Sequence, residues 1–155
     1  MKIGIIIHSN TGNTLTVGQR LEKELTARGH TAVIERVTSE NDASEAANIV
    51  LDSKPDVDTY DMIILGAPVH AFSLSVVMMA YLEQLTSLSG KKVFCFVTQA
   101  LPKPWLGGNR AIKTMKRLCA EKGAEPFNAG VVNWGSKQKE TQIEDIVACA
   151  CDIKP

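Results

Sequence analysis

The chain alternates short, unbroken apolar runs with longer stretches in which apolar residues recur every three or four positions. The unbroken runs include residues 3–7, 62–65 and 93–97. Strands that are continuously apolar, without a polar alternate, are buried on both faces, as in a parallel sheet covered by helices. The pattern predicts strands over residues 2–7, 31–37, 61–66, 93–98 and 127–134. Between them it predicts helices over 14–28, 44–52, 75–88, 109–122 and 138–151, the first carrying Leu15, Leu21 and Leu25 on related faces. Gly29, Gly123 and the Lys54-Pro55 pair supply stops. Strands and helices in this alternation make a three-layer, doubly wound α/β fold with a five-stranded parallel sheet. Right-handed crossovers give the order 2-1-3-4-5. Residues 1–155 read as a single domain, without repeat, linker or low-complexity tract.

In such a sheet ligands bind beyond the C-terminal ends of the strands, at the point where the order reverses. That point lies between the first and third strands, where loops 8–14, 66–74 and 98–109 meet. The first loop reads His8-Ser9-Asn10-Thr11-Gly12-Asn13-Thr14, with three hydroxyls, two carboxamides, one glycine and no Lys or Arg. Neutral donors at a helix N-terminus suit a phosphate monoester, because the first N–H groups have no intrahelical partner and the helix dipole favours an anion. The simpler reading is a Ser/Thr/Asn turn that only caps the helix. A Walker loop needs G-x-x-x-x-G-K-[ST], and Lys is absent here. A Rossmann fingerprint needs G-x-G-x-x-G, and Gly12 is the only glycine in the turn.

The second loop reads Gly66-Ala67-Pro68-Val69-His70-Ala71-Phe72-Ser73-Leu74. The third runs from Thr98-Gln99-Ala100 through Lys103 and Trp105 to Gly107-Gly108-Asn109. Each is long enough to wall a flat ligand, and each offers one aromatic side chain in a chain with only 5% aromatics. A flavin ring needs apolar or aromatic contact on its faces and backbone donors at its pyrimidine edge.

On these residues the chain resembles the flavodoxin-like FMN proteins over essentially its whole length. The matches are Ser9-x-Thr11-Gly12-x-Thr14, the stretch from Tyr60-Asp61 through Leu65-Gly66-Ala67-Pro68-Val69-His70, and Gly90-Lys91-Lys92 before the fourth strand. The resemblance implies that Ser9, Asn10, Thr11, Gly12, Asn13 and Thr14 hold the FMN phosphate. It implies that Pro68, Val69, His70, Ala71 and Phe72, with Thr98, Gln99, Ala100, Trp105, Gly107, Gly108 and Asn109, flank the isoalloxazine. Trp105 is the first candidate for stacking and Phe72 the second, against the reading of Trp105 as a lid residue packed on a helix. Gly107 and Gly108 either bring N–H groups to the flavin or simply lead into the helix. His70 either meets the flavin edge or makes a local bond. His8 either helps neutralise the phosphate or only ends its strand. No catalytic side chain and no metal site is expected, since the flavin carries the chemistry.

Charge and cysteine content bound the partners. Seventeen basic and seventeen acidic residues give a formal net charge of zero, so neither nucleic-acid nor membrane-surface binding is supported. No run approaches the roughly 20 apolar residues that span a bilayer, and no signal peptide is visible, so a soluble, cytoplasmic protein is expected. Cys95, Cys119, Cys149 and Cys151 lack C-x-x-C spacing, and Cys95 reads as a buried thiol.

The neutral balance departs from the acidic character typical of electron-carrier flavodoxins. Loops 66–74 and 98–109 contain no Asp or Glu, with Lys103 inside and Arg110 just after. Two redox roles follow: an FMN protein exchanging electrons with a partner protein, or an NAD(P)H-dependent FMN or quinone reductase. No nicotinamide motif is visible, which favours the first. A flavin-free module such as a phosphate receiver is weaker, because the third strand ends in Gly66 without a phosphoacceptor Asp. Met78-Met79 and Tyr81 are a candidate subunit contact, with core packing the better reading.

Overall fold

The computed structural model describes residues 1–103 and 105–152, together with the backbone but not the side chains of Phe127 and Asn128. Pro104 of the third loop and residues 153–155 lie outside the described residues. The chain runs β1 (Lys2–Ile7), α1 (Asn13–Ala27), β2 (Thr31–Arg36), β3 (Thr38–Ser39), β4 (Leu51–Ser53), β5 (Met62–His70), β6 (Ser73–Leu74), α2 (Val76–Gln84), β7 (Lys92–Gln99), α3 (Gly108–Glu121), β8 (Glu125–Asn133) and α4 (Lys139–Cys151). The parallel sheet has the order β2-β1-β5-β7-β8, which is 2-1-3-4-5 counted over its parallel strands.

The unbroken apolar strands divide their side chains between two cores, as a period of two requires. Ile3, Ile5 and Ile7 of β1 join Met62, Ile64, Phe94 and Phe96 under α1 and α4, with Val17, Leu21, Ile143 and Ile146. Ile6 points the other way and joins Ile63, Leu65, Val93, Cys95 and Val97 under α2 and α3. Each of these fully buried Ile or Leu side chains contributes about 1.5–3 kcal/mol. In α1, Thr14, Val17, Gly18, Leu21 and Leu25 form the buried stripe, at the three-and-four spacing of a helix packed on one side. Met78 and Tyr81 are fully buried, so core packing is their role.

Three local expectations are corrected. Residues 44–52 are not a helix: a single 3-10 turn, Ala46–Asn48, leads into β4, which pairs antiparallel with β3. Two alanines favour a helix there, but Leu51 and Ser53 have a strand partner in β3, and pairing wins over propensity. The helix expected over 75–88 ends at Gln84. The third strand extends to His70 and folds back as a two-residue hairpin, Val69 opposite Leu74 and His70 opposite Ser73, where a plain loop was expected. Among the described residues no helix is long and apolar enough to cross a membrane.

Candidate functional site

The C-terminal ends of β1, β5 and β7 bring the three loops together. At the end of β1, the His8 N–H donates to the Gly66 carbonyl at 3.0 Å and fixes where the first loop departs. Gly12, at φ 92°, turns the chain into α1, a conformation costly for any residue with a Cβ. Its carbonyl accepts the N–H and the hydroxyl of Thr16, both at 2.9 Å. The Ser9 hydroxyl accepts the Leu15 N–H at 3.3 Å. No side chain caps the helix from Gly12. Among the described residues, the N–H groups of Asn10, Thr11, Gly12, Asn13 and Thr14 take no protein acceptor. Asn10 and Thr11 are exposed, and Gly12 and Asn13 half-buried. A bend of N–H donors without acceptors at a helix start has the chemistry an anion requires.

Arg36, the last residue of β2, donates from Nη2 to the Ser9 carbonyl at 3.0 Å and holds the loop from behind. The loop has no cation of its own, so this one escapes a motif scan. Its place in the sheet gives it away, because Arg36 lies opposite Ile7 in the register.

The hairpin after β5 forms the second wall. Its two turn residues, Ala71 and Phe72, both have positive φ, 48° and 61°. Tight two-residue hairpins of this kind normally carry Asn-Gly, so the bulky pair is strained. Phe72 is 59% exposed. His70 sits at the hairpin's base, and its Nε2 accepts from Asn10 Nδ2 at 3.3 Å. The His8 ring meets the His70 ring edge-on, centroids 6.1 Å apart. Ser75 is fully buried, accepts the Met78 N–H at 3.3 Å, and places its hydroxyl 2.9 Å from His8 Nδ1. Burial, aided by the neighbouring His70 and Arg36, lowers the His8 pKa to about 4, and burial lowers that of His70. A neutral His8 accepting at Nδ1 suits a hydroxyl that already accepts from Met78.

The third wall is Thr98 to Asn109. Thr98 and Gln99 are buried and serve as supports: the Thr98 hydroxyl bonds that of Thr14 at 2.8 Å, and Gln99 Nε2 donates to Asn133 Oδ1 and to the Lys103 carbonyl. Gly107 has φ 118°, and a Cβ there would lie 2.7 Å from Phe72 Cα, so this loop and the hairpin touch backbone to backbone. Gly108 opens α3 against Val131. Ala100 and Asn109 are exposed, and Trp105 is 69% exposed with Lys103 Nζ 5.6 Å from its ring centre. Pro68 and Val69 are half-buried on β5. Among the described residues the large apolar side chains left exposed are Val50, Phe72, Leu101 and Trp105, and three of these four belong to the hairpin and the third loop. Exposed apolar surface gathered in one place marks a binding face. The sequence reading missed Arg36, Ser75 and Asn133, which act from outside the loops.

A family model described as flavodoxin domain matches residues 4–133. No curated protein matches the chain. Among solved structures, oxidised flavodoxin 2 from Bacillus cereus is similar at 22% identity and a TM-score of 0.72, with 97% of this chain and 95% of that one covered. A flavoprotein in complex with FMN from Lactobacillus acidophilus NCFM is similar at 15% identity and a TM-score of 0.64, covering 93% and 97%. A flavodoxin, WrbA-like protein from Agrobacterium tumefaciens is similar at 14% identity and a TM-score of 0.72, covering 97% and 92%. At these identities the structural likeness is one of fold.

Proposed function

The chain belongs to the flavodoxin domain family, and from that premise we propose that it binds FMN and passes electrons to or from a partner protein. Bound flavin supplies the redox chemistry by taking up and releasing electrons singly or in pairs. The protein's part is to bind and orient. The observation that carries the reading is the run of acceptorless N–H groups from Asn10 to Thr14, at the same end of the sheet as the exposed rings of Phe72 and Trp105. Those donors are neutral and several, which fits a phosphate monoester. The residues that would hold the phosphate are Ser9 to Thr14, with Arg36 bracing the loop. Those that would flank the ring are Pro68 to Phe72 on one side and Ala100, Trp105 and Asn109 on the other. The setting is the cytoplasm, where four unpaired cysteines stay reduced.

A second reading, an NAD(P)H-dependent FMN or quinone reductase, has one observation in its favour. The hairpin and third loop carry Lys103, with Arg110 next in line, and no carboxylate. Such a mouth favours an anionic donor over a basic partner protein.

The test begins with the purified protein, which should show flavin absorbance or take up FMN on titration. Absence of both overturns the reading. Anaerobic mixing of the FMN-loaded protein with NADH and NADPH then separates the roles: rapid bleaching identifies a reductase, and inertness to both a carrier.

A further inference from the structure

A cavity of about 520 Å³ lies between the third loop, α3, β8 and the turn into α4. That volume is within the range of small-molecule sites. Trp105 and Lys103 border it from the loop, and four carboxamides line it: Asn109, Asn133, Gln138 and Gln142. Two of these are held by their oxygens. Asn133 Oδ1 accepts from Gln99, and Gln142 Oε1 accepts the Asn133 N–H at 2.8 Å. Their NH2 groups are therefore oriented in advance, and neither has a protein acceptor among the described residues. The side chains of Asn109 and Gln138 have no partner there either. Asn133 is 2% exposed and forms a buried polar floor, Gln142 is half-buried, and Asn109 and Gln138 stand exposed at the rim. Ile112 and Val131 supply apolar wall.

Asn109 and Gln138 offer a donor and an acceptor side by side and pair with a ligand edge that does the same, while Asn133 and Gln142 present NH2 donors to a ring nitrogen. Asn and Gln make such paired contacts to the N6/N7 edge of adenine. An aromatic ring beside them gives a base something to stack on, worth about 1–3 kcal/mol per base. Among the described residues the lining contains no carboxylate, and Lys103 stands at its edge. Lys113, one helical turn beyond Asn109 on the same side of α3, is exposed and adds a second cation.

We infer that this cavity is an adenine-nucleotide site, with the base against the carboxamides and Trp105 and the phosphates toward Lys103 and Lys113. The inference deepens the reductase reading, on which the nucleotide's identity as the adenosine diphosphate half of NAD(P)H rests. The cavity shares Trp105 and Asn109 with the proposed flavin flank, whereas Asn133, Gln138 and Gln142 belong to the cavity alone.

The test titrates the FMN-treated protein with ADP-ribose, which carries adenine and two phosphates and cannot reduce a flavin. Side-chain amide signals are followed by NMR, with flavin absorbance recorded on the same sample. The expected result is saturable movement of the Asn133, Gln138 and Gln142 side-chain amides, which the proposed flavin flank does not use. Lys103→Glu should weaken the interaction about tenfold through the lost phosphate contact. The exposed substitution Gln138→Ala should weaken it without disturbing the fold. No movement at millimolar ADP-ribose, or the same movement with glucose or with inorganic phosphate alone, overturns the inference. Absent flavin uptake with intact amide shifts would instead overturn the FMN reading and leave the cavity assignment standing.

Discussion

The hydroxyls of Thr14 and Thr98 lie 2.8 Å apart, both buried, and join the first turn of α1 to the end of β7. Eighty-four residues separate them in sequence, and this bond ties the first loop to the third. Replacing either by Val leaves the other hydroxyl buried without a partner, at a cost of about 1–3 kcal/mol. Replacing both removes the unsatisfied group, so T14V/T98V should be more stable than the two single effects added together. Urea unfolding of the four proteins gives the coupling directly.

His8 makes stability depend on pH. Its folded-state pKa of about 4 is below the ordinary 6.5, so the unfolded chain binds the proton that the native state refuses. The contribution is constant above pH 6.5, is lost as pH falls from 6.5 to about 4, and is level below that. The loss amounts to about 3 kcal/mol. His8→Asn keeps an acceptor for the Ser75 hydroxyl and cannot titrate. Its stability relative to the natural protein should therefore improve steadily across that window, as read by chemical denaturation at a series of pH values.

The hairpin at Ala71-Phe72 stores strain. Ala71→Asn puts a residue that tolerates positive φ at the first turn position and should stabilise the protein by about 0.5–1 kcal/mol. Phe72→Gly should stabilise the flavin-free protein further yet weaken FMN binding, because it removes an exposed ring from the proposed site. Thermal unfolding with and without FMN separates the two effects.

Gly107 is constrained twice, by φ 118° and by the approach of Phe72 Cα to within 2.7 Å of any Cβ placed there. Gly107→Ala should cost about 1–3 kcal/mol, and its amide exchange should quicken in both the hairpin and the third loop.

The three central parallel strands were legible because Ile3 to Ile7, Met62 to Leu65 and Val93 to Val97 are apolar without interruption, and only a two-sided core asks for that. The turn into α1 was legible because residues 8–14 are contiguous and Gly12 supplies the positive φ. The hairpin was not, since Ala71-Phe72 carries none of the Asn or Gly that normally announces such a turn. Residues 46–51 misled because local helix preference lost to pairing with β3. Arg36 on Ser9 and Ser75 on His8 are long-range contacts that follow from the sheet order and not from spacing. Asn133, beyond the loops, became visible only through its bond to Gln99.

The central claim is that residues 9–14 hold the phosphate of FMN. Its most direct test is the affinity of the flavin-free protein for FMN compared with riboflavin, which has the same ring and no phosphate, measured by quenching of flavin fluorescence. FMN is expected to bind tighter by about two orders of magnitude or more, the worth of several charge-assisted hydrogen bonds. Thr11→Asp should close most of that gap while leaving riboflavin affinity unchanged. Equal affinity for FMN and riboflavin, or no binding of either, would contradict the account.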